Sequence, residues 1–178
     1  QTKRRTAVAP SAVGSFIFGF IAPPREMTLA EIRDTIRAFG AGARRAKAAG
    51  FDMVELHGAH GYLLMQFLSA FSNTRTDEYG GDFRARARFM LECLRETRRQ
   101  VGPDFPISIR ISGEEGIQGG YTIDDMLTIV PDLVREGADL IHVSFGTHGN
   151  ATVYTDAPNP SAPIEYEPGF KTVLARRI

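Results

Sequence analysis

Three features predict an α/β fold that forms part of a closed parallel barrel. Helix-like and strand-like segments alternate along the 178 residues, an order that requires parallel strands joined by crossover helices. Three strand-like segments each carry one apolar face and one face of polar or ionisable residues. A doubly wound sheet has helices on both sides and wants both faces apolar. A (β/α)8 barrel has helices outside only and can hold polar residues within. Three strands are also too few to close a barrel of about eight, so the chain reads as the middle of one.

Residues 1–27 read as irregular, broken by Pro10, Gly14, Gly19, Pro23 and Pro24. Thr28 and Glu31 form a capping box. The helix behind it carries Ile32, Ile36, Phe39 and Ala43 on one face and stops at Gly50. Residues 52–57 read as a strand, with Val54 and Leu56 opposite Glu55 and His57. A short helix from Tyr62 to Ser69 and a polar loop, Asn73 to Gly81, come next. A longer helix from Phe83 turns Ala87, Leu91, Leu94 and Val101 inward and ends at Gly102. Pro103 to Pro106 is a turn. Ile107 to Ser112 is a strand whose isoleucines, Ile107, Ile109 and Ile111, oppose Ser108, Arg110 and Ser112. One helix is predicted from a Thr122 cap through Glu136, with Gly137 as its stop. Leu140 to Ser144 is the third strand, Ile141 and Val143 opposing His142 and Ser144. A loop with Pro158, Pro160, Pro163 and Pro168 leads to a helix from about Gly169. Glu55 and Arg110 are expected to pair across neighbouring strands, because a lone interior charge is costly.

Composition bounds the function. With 43% hydrophobic residues the chain can bury a core, as one domain or part of one. Its 21 basic and 21 acidic residues balance, giving no reason to expect nucleic acid or an anionic membrane as a partner. The apolar run Phe16 to Ala22 ends at Pro23, well short of the roughly 20 residues a membrane helix needs. Cys93 is the only cysteine, so no internal disulfide or thiolate metal cluster forms, and a cytoplasmic setting fits. The start at Gln1 and the polar run to Arg5 have no secretory character and read as part of something longer. Self-association, as a homo-oligomer, stays open.

The chemistry concentrates in His57-Gly58-Ala59-His60-Gly61-Tyr62, set where a strand ends and a helix begins, the place where α/β folds expose rigidly held loops. Two such histidines alone could be ordinary loop residues, catalytic donors or zinc ligands. Zinc would need a third ligand, from Glu55, His142 or His148. His142 reads as a satisfied interior residue. Arg75 is expected to order its loop by pairing with Asp77 or Glu78. The Arg84-Arg86-Arg88 and Arg95-Arg98-Arg99 clusters read as solvated helix faces, with Glu92 and Glu96 in pairing range.

The joint run of His57-Gly-Ala-His60-Gly-Tyr62-Leu-Leu, Gln66-Phe67-Leu68-Ser69, Asn73-x-Arg75-Thr76-Asp77-Glu78-Tyr79-Gly80-Gly81 and Arg86-x-Arg88-Phe89 resembles the old yellow enzyme family of NADH:flavin oxidoreductases. The resemblance runs from Val8 to the chain end. It implies a (β/α)8 TIM barrel binding FMN at its C-terminal mouth. Residues 1–178 would be the central segment of that single domain, about strands 4 to 6 with flanking helices, incomplete at both ends. It implies NADH or NADPH as reductant, and hydride transfer from flavin N5 to the β-carbon of an α,β-unsaturated carbonyl or enoyl compound. His57 and His60 would donate to the carbonyl oxygen, where developing negative charge rewards aimed donors. Tyr62 would be a proton donor near the α-carbon, and Arg110 would lie against flavin N1 and the C2 carbonyl.

Asp82-Phe83-Arg84 and Ser144-Phe145-Gly146-Thr147-His148 resemble the 2,4-dienoyl-CoA reductase branch, which makes His148 a second proton-donor candidate. The paired histidines depart from that branch's bacterial form. Members of the branch often carry a 4Fe-4S cluster and an FAD region, which would lie beyond residue 178. The family's flavin phosphate site and a flavin-contacting glutamine also fall outside this chain, so alone it is expected to bind FMN poorly and to expose strand edges. The alternatives are a truncated, non-catalytic barrel fragment that needs another chain, and a metal-dependent barrel hydrolase.

Overall fold

The computed structural model describes residues 7–13, 23–117, 119–147 and 175–178. The first long helix, α1 (Leu29–Ala48), starts at the predicted box: the Thr28 hydroxyl accepts from Glu31 N–H, and Thr28 N–H donates to the Glu31 carboxylate at 2.9 Å. Arg25 donates to both oxygens of that carboxylate. Arg25 and Thr28 together hold the exposed Glu31 acid down to about 2. Ile32 and Ala43 are buried, with Ile36 and Phe39 packed at the edge of the core.

Two further helices follow, α2 (Leu63–Leu68) between Tyr62 and Ser69, and α3 (Phe83–Val101). Asp82 caps α3 by accepting from Ala85 N–H at 2.8 Å. The inward face of α3 buries Ala87, Phe89, Met90, Leu94 and Val101, while Leu91 is half-buried. Each fully buried large apolar side chain stabilises the fold by about 1.5–3 kcal/mol. At Gly40 the α1 backbone packs directly against α3. A Cβ there would stand 2.8 Å from Gln100 Cγ and 2.9 Å from the Glu96 carbonyl oxygen.

The sheet is parallel, in the order β3 (Val54–Gly58), β4 (Ile107–Ser112) and β5 (Leu140–Ser144). Glu55 lies opposite Ser108, and His57 opposite Arg110, which in turn is opposite His142. Ile107, Ile109 and Ile111 are wholly buried under the helices. The other face carries Glu55, His57, Ser108, Arg110, Ser112, His142 and Ser144, so the two-faced pattern of the sequence is realised. Among the described residues β3 and β5 each have one sheet neighbour. A groove of about 510 Å³ runs beside β3, lined by Phe39, Ala43, Val54 and Leu56 among others. No described helix is long and apolar enough to cross a membrane.

The structure corrects several expectations. Within residues 1–27, β1 (Val8–Ala9) pairs in parallel with β2 (Arg25–Glu26). The predicted helix from Thr122 to Glu136 is two pieces, α4 (Ile123–Leu127) and α5 (Val130–Arg135). Pro131 is the cause: it has no N–H to donate to Leu127, and its ring clashes with that carbonyl, so α4 ends there and Pro131 sits in the first turn of α5. The strand expected at 52–57 starts at Val54 and runs to Gly58. His148, the loop to Pro168 and most of the helix expected from Gly169 lie outside the described residues, as does the run Phe16 to Ala22; residues 175–177 are helical.

Candidate functional site

Beyond β3 the chain reverses in one turn, Ala59 to Tyr62, closed by Tyr62 N–H donating to Ala59 O at 3.2 Å. His60 has φ 58° and Gly61 φ 75°. Two successive left-handed residues are the type I′ pattern, which Gly61 adopts without penalty. Among the described residues His60 is the one non-glycine with positive φ. Its N–H donates to Ser112 Oγ at 3.2 Å, and Gln66 Nε2 donates to Gly61 O at 2.9 Å. Ser112 in turn donates to Gly146 O at 2.7 Å, tying the turn to the segment after β5.

This turn brings three predicted residues together. The His57 and His60 ring centroids are 5.1 Å apart, and those of His57 and Tyr62 4.9 Å. Tyr62 is half exposed. His60 Nε2 lies 2.5 Å from Ser144 Oγ, which also accepts from Arg110 Nη2 at 3.3 Å. Both bonds are satisfied when Ser144 donates to Nε2, which leaves the proton of a neutral His60 ring on Nδ1. Ser112 and Ser144 were legible only as members of the polar face; their service to His60 follows from the turn.

Arg110 stands beside His57 in register. Its Nε is buried and has no hydrogen-bond partner among the described residues. A guanidinium keeps its charge, so an unmet buried donor is costly and the site is short of one acceptor. The edge of a flavin ring, with N1 and the C2 carbonyl as acceptors, suits that donor.

The expected ion pair between Glu55 and Arg110 does not form. Register places Glu55 opposite Ser108, and its Oε2 accepts from Ser108 Oγ at 2.8 Å and lies 3.1 Å from His142 Nδ1. Burial pushes the Glu55 acid up, but Ser108, His142 and the more distant charge of Arg110 outweigh it and lower it. His142 is satisfied, as expected, but its side chain is 45% exposed rather than interior. Among the described residues no group of three His, Cys, Asp or Glu could hold a metal, so the zinc reading gains no third ligand there.

The polar loop is structural, as the sequence suggested. The Arg75 side chain is only 4% exposed. It pairs with Asp77 at 2.5 Å and donates to Pro10 O at 2.8 Å and Met27 O at 2.7 Å. This supports the short β1–β2 pairing: the carbonyls just beyond each strand are held by a side chain distant in sequence. Tyr79 donates to Glu92 at 2.8 Å, and burial, then Glu92, pushes its phenol up. Arg99 pairs with Glu96 as expected, but Arg84 reaches Asp132 in the first turn of α5 and Arg95 reaches Glu136 at its C-terminal end. These arginines therefore bridge helices rather than merely face solvent.

Known proteins resemble this chain in sequence and fold. The model of the NADH:flavin oxidoreductase / NADH oxidase family matches residues 1–162. A NADH oxidase of Thermoanaerobacter brockii is 43% identical over 171 residues, covering 96% of this chain and 25% of that protein. A NADPH dehydrogenase of Geobacillus sp. (strain WCH70) is 49% identical over 155 residues, 87% of this chain and 42% of that protein. In fold, a solved 2-naphthoyl-CoA reductase complexed with 2-naphthoyl-CoA matches with a TM-score of 0.83 at 35% identity, over 97% of this chain and 25% of that one. Morphinone reductase matches with a TM-score of 0.71 at 28% identity, over 100% of this chain and 49% of that one. The chain thus spans between a quarter and a half of these relatives. Its strands and helices are an arc of a TIM barrel of the old yellow enzyme type, and the chain belongs to the NADH:flavin oxidoreductase / NADH oxidase family.

Proposed function

We propose that the protein carrying this chain is an FMN-dependent, NAD(P)H-driven reductase of activated C=C bonds, and that residues 1–178 are the central segment of its single barrel domain. One observation carries the reading. His57, His60 and Tyr62 gather beside an arginine whose buried Nε has no acceptor. Arg110 would hold the flavin at N1 and the C2 carbonyl and favour its anionic reduced form. Bound there, FMN supplies hydride to the β-carbon of an α,β-unsaturated carbonyl or enoyl substrate. Histidine rings 5.1 Å apart can both donate to one oxygen at about 2.7–3.2 Å. His57 and His60 would so bind the substrate carbonyl and stabilise charge as it develops on oxygen. Tyr62, its ring tilted against His57, would deliver a proton to the α-carbon, with His148 as a second donor.

The substrate class is small and neutral at its reacting end; the likeness to 2-naphthoyl-CoA reductase supports the thioester branch that Asp82-Phe83-Arg84 suggests. A 4Fe-4S cluster, if the protein uses one, is held by other segments, because Cys93 is this chain's only cysteine and is buried in α3. A cytoplasmic setting and a homo-oligomer fit this reading.

The test is anaerobic. The full-length protein is purified, its visible flavin spectrum recorded, NADH or NADPH added, and an enone or enoyl thioester then supplied. We expect bleaching by the nicotinamide and recovery on substrate, with recovery slowed at least about a hundredfold by a His57→Ala, His60→Ala double change. Absence of flavin, or recovery at an unchanged rate in that variant, refutes the reading.

A further inference from the structure

The polar face of the sheet is stacked in levels. Glu55 and His142, on the two outer strands, meet over β4 between Ser108 and Arg110. One step toward the C-terminal ends, His57 and Ser144 flank Arg110 in the same way, and Ser144 receives its Nη2. Side chains from alternate strands share levels in barrel interiors, which is the arrangement seen here. Arg110 therefore lies between a level that would face substrate and flavin and a level holding a carboxylate.

That carboxylate is the natural competitor for the guanidinium. Glu55 lies opposite Ser108, two residues before Arg110 on the same face, a diagonal that long side chains span. Yet Glu55 turns to Ser108 and His142 instead, at 2.8 and 3.1 Å. The ionisable groups on this face near His142 are Glu55 and His57 from β3, Arg110 from β4 and His60 from the turn beyond β3; the helices lie behind the sheet.

We infer that His142 is a positioning residue for Arg110: by engaging Glu55 across β4 it keeps that carboxylate off the guanidinium, leaving the positive charge to the flavin. This rests on the proposed flavin function. Glu55 would otherwise neutralise the charge that favours reduced over oxidised flavin, so removing His142 harms the site only while Glu55 is present.

The experiment uses the full-length protein and FMN itself. Midpoint potentials are measured for the parent, His142→Leu, Glu55→Gln and the double variant, with circular dichroism to check folding. The potential reports the ratio of affinities for reduced and oxidised flavin, independently of turnover. We expect His142→Leu to lower that ratio about tenfold, a fall of about 30 mV for a two-electron couple. The double variant should return to within about threefold of the parent, about 15 mV. Glu55→Gln alone should hold or raise the ratio, and decides the matter if His142→Leu does not fold. An unchanged ratio in His142→Leu, an equal fall in the double variant, or a fall in Glu55→Gln would overturn the inference while the flavin reading stands. Failure of the parent to bind FMN would instead remove the function on which both rest.

Discussion

Arg75→Lys should unfold this chain at clearly lower denaturant although it keeps the charge. Arginine spreads its donors over three nitrogens, and here they reach Asp77, Pro10 O and Met27 O together. Lysine has one nitrogen. If it follows Asp77, the two carbonyls lose their donor, and each unmet buried acceptor costs about 1–3 kcal/mol. The expected loss is about 2–6 kcal/mol for Lys, from the two carbonyls. Ala also strands Asp77, which is about a third exposed (32%), so water limits that further cost to about 1 kcal/mol. Urea unfolding followed by far-UV circular dichroism measures it, since the chain has no tryptophan. A pH series adds an independent arm. Arg75, then the Tyr79 N–H, hold the Asp77 acid below its ordinary value against the opposing effect of burial. The stabilisation is therefore present above the unfolded value and lost as pH falls through the folded one. Arg75→Ala should shrink that acid-dependent loss to the part the Tyr79 N–H sustains. A Lys variant within about 0.5 kcal/mol of the parent, or an Ala variant no worse than Lys, would refute the argument.

Other changes probe separate features. At position 60 the left-handed backbone accepts Asn far better than a β-branched residue; His60→Val should melt about 1–3 kcal/mol below His60→Asn, and equal melting would show that the turn is not of this form. Glu115 is buried and its acid is raised, burial outweighing its bonds to Ser69 and Tyr121 N–H and the charge of Arg86. Its contribution is complete below the unfolded value and disappears as pH rises through the folded one, so Glu115→Gln should gain on the parent as pH climbs above the ordinary glutamate range; parallel stability curves would contradict this. Gly40→Ala should lower stability by about 1–3 kcal/mol, because the helix preference of alanine, worth about 1 kcal/mol, cannot offset a Cβ 2.9 Å from the Glu96 carbonyl. A higher melting temperature would mean that α1 and α3 can separate at little cost.

The parts legible in the sequence were those set by local chemistry or by alternation. The Thr28–Glu31 box, the isoleucine face of β4 and the three strands needed no tertiary information beyond parity. Pro131 was visible too, but an apolar helical pattern on both sides of it suggested continuity that its missing N–H forbids. The β1–β2 pairing was illegible because two residues carry no period, and Arg75, which holds it, is 65 positions from Pro10. Glu55 was assigned the wrong partner because face membership is set by alternation, whereas neighbours depend on stagger between strands, which only the folded sheet supplies. His57, His60 and Tyr62 were found by motif; the left-handed His60, and hence the roles of Ser112 and Ser144, depended on a backbone angle that no motif encodes.

The alternation of β4 also restricts how its gene can change length. Deleting or inserting one codon between Ser108 and Ser112 would exchange the two faces of the distal half, sending Arg110 among the helices and an isoleucine toward the flavin side. A change of two codons restores the phase. Inheritable length variation within these strands is thus confined to even steps, while the segments between them are free of that arithmetic.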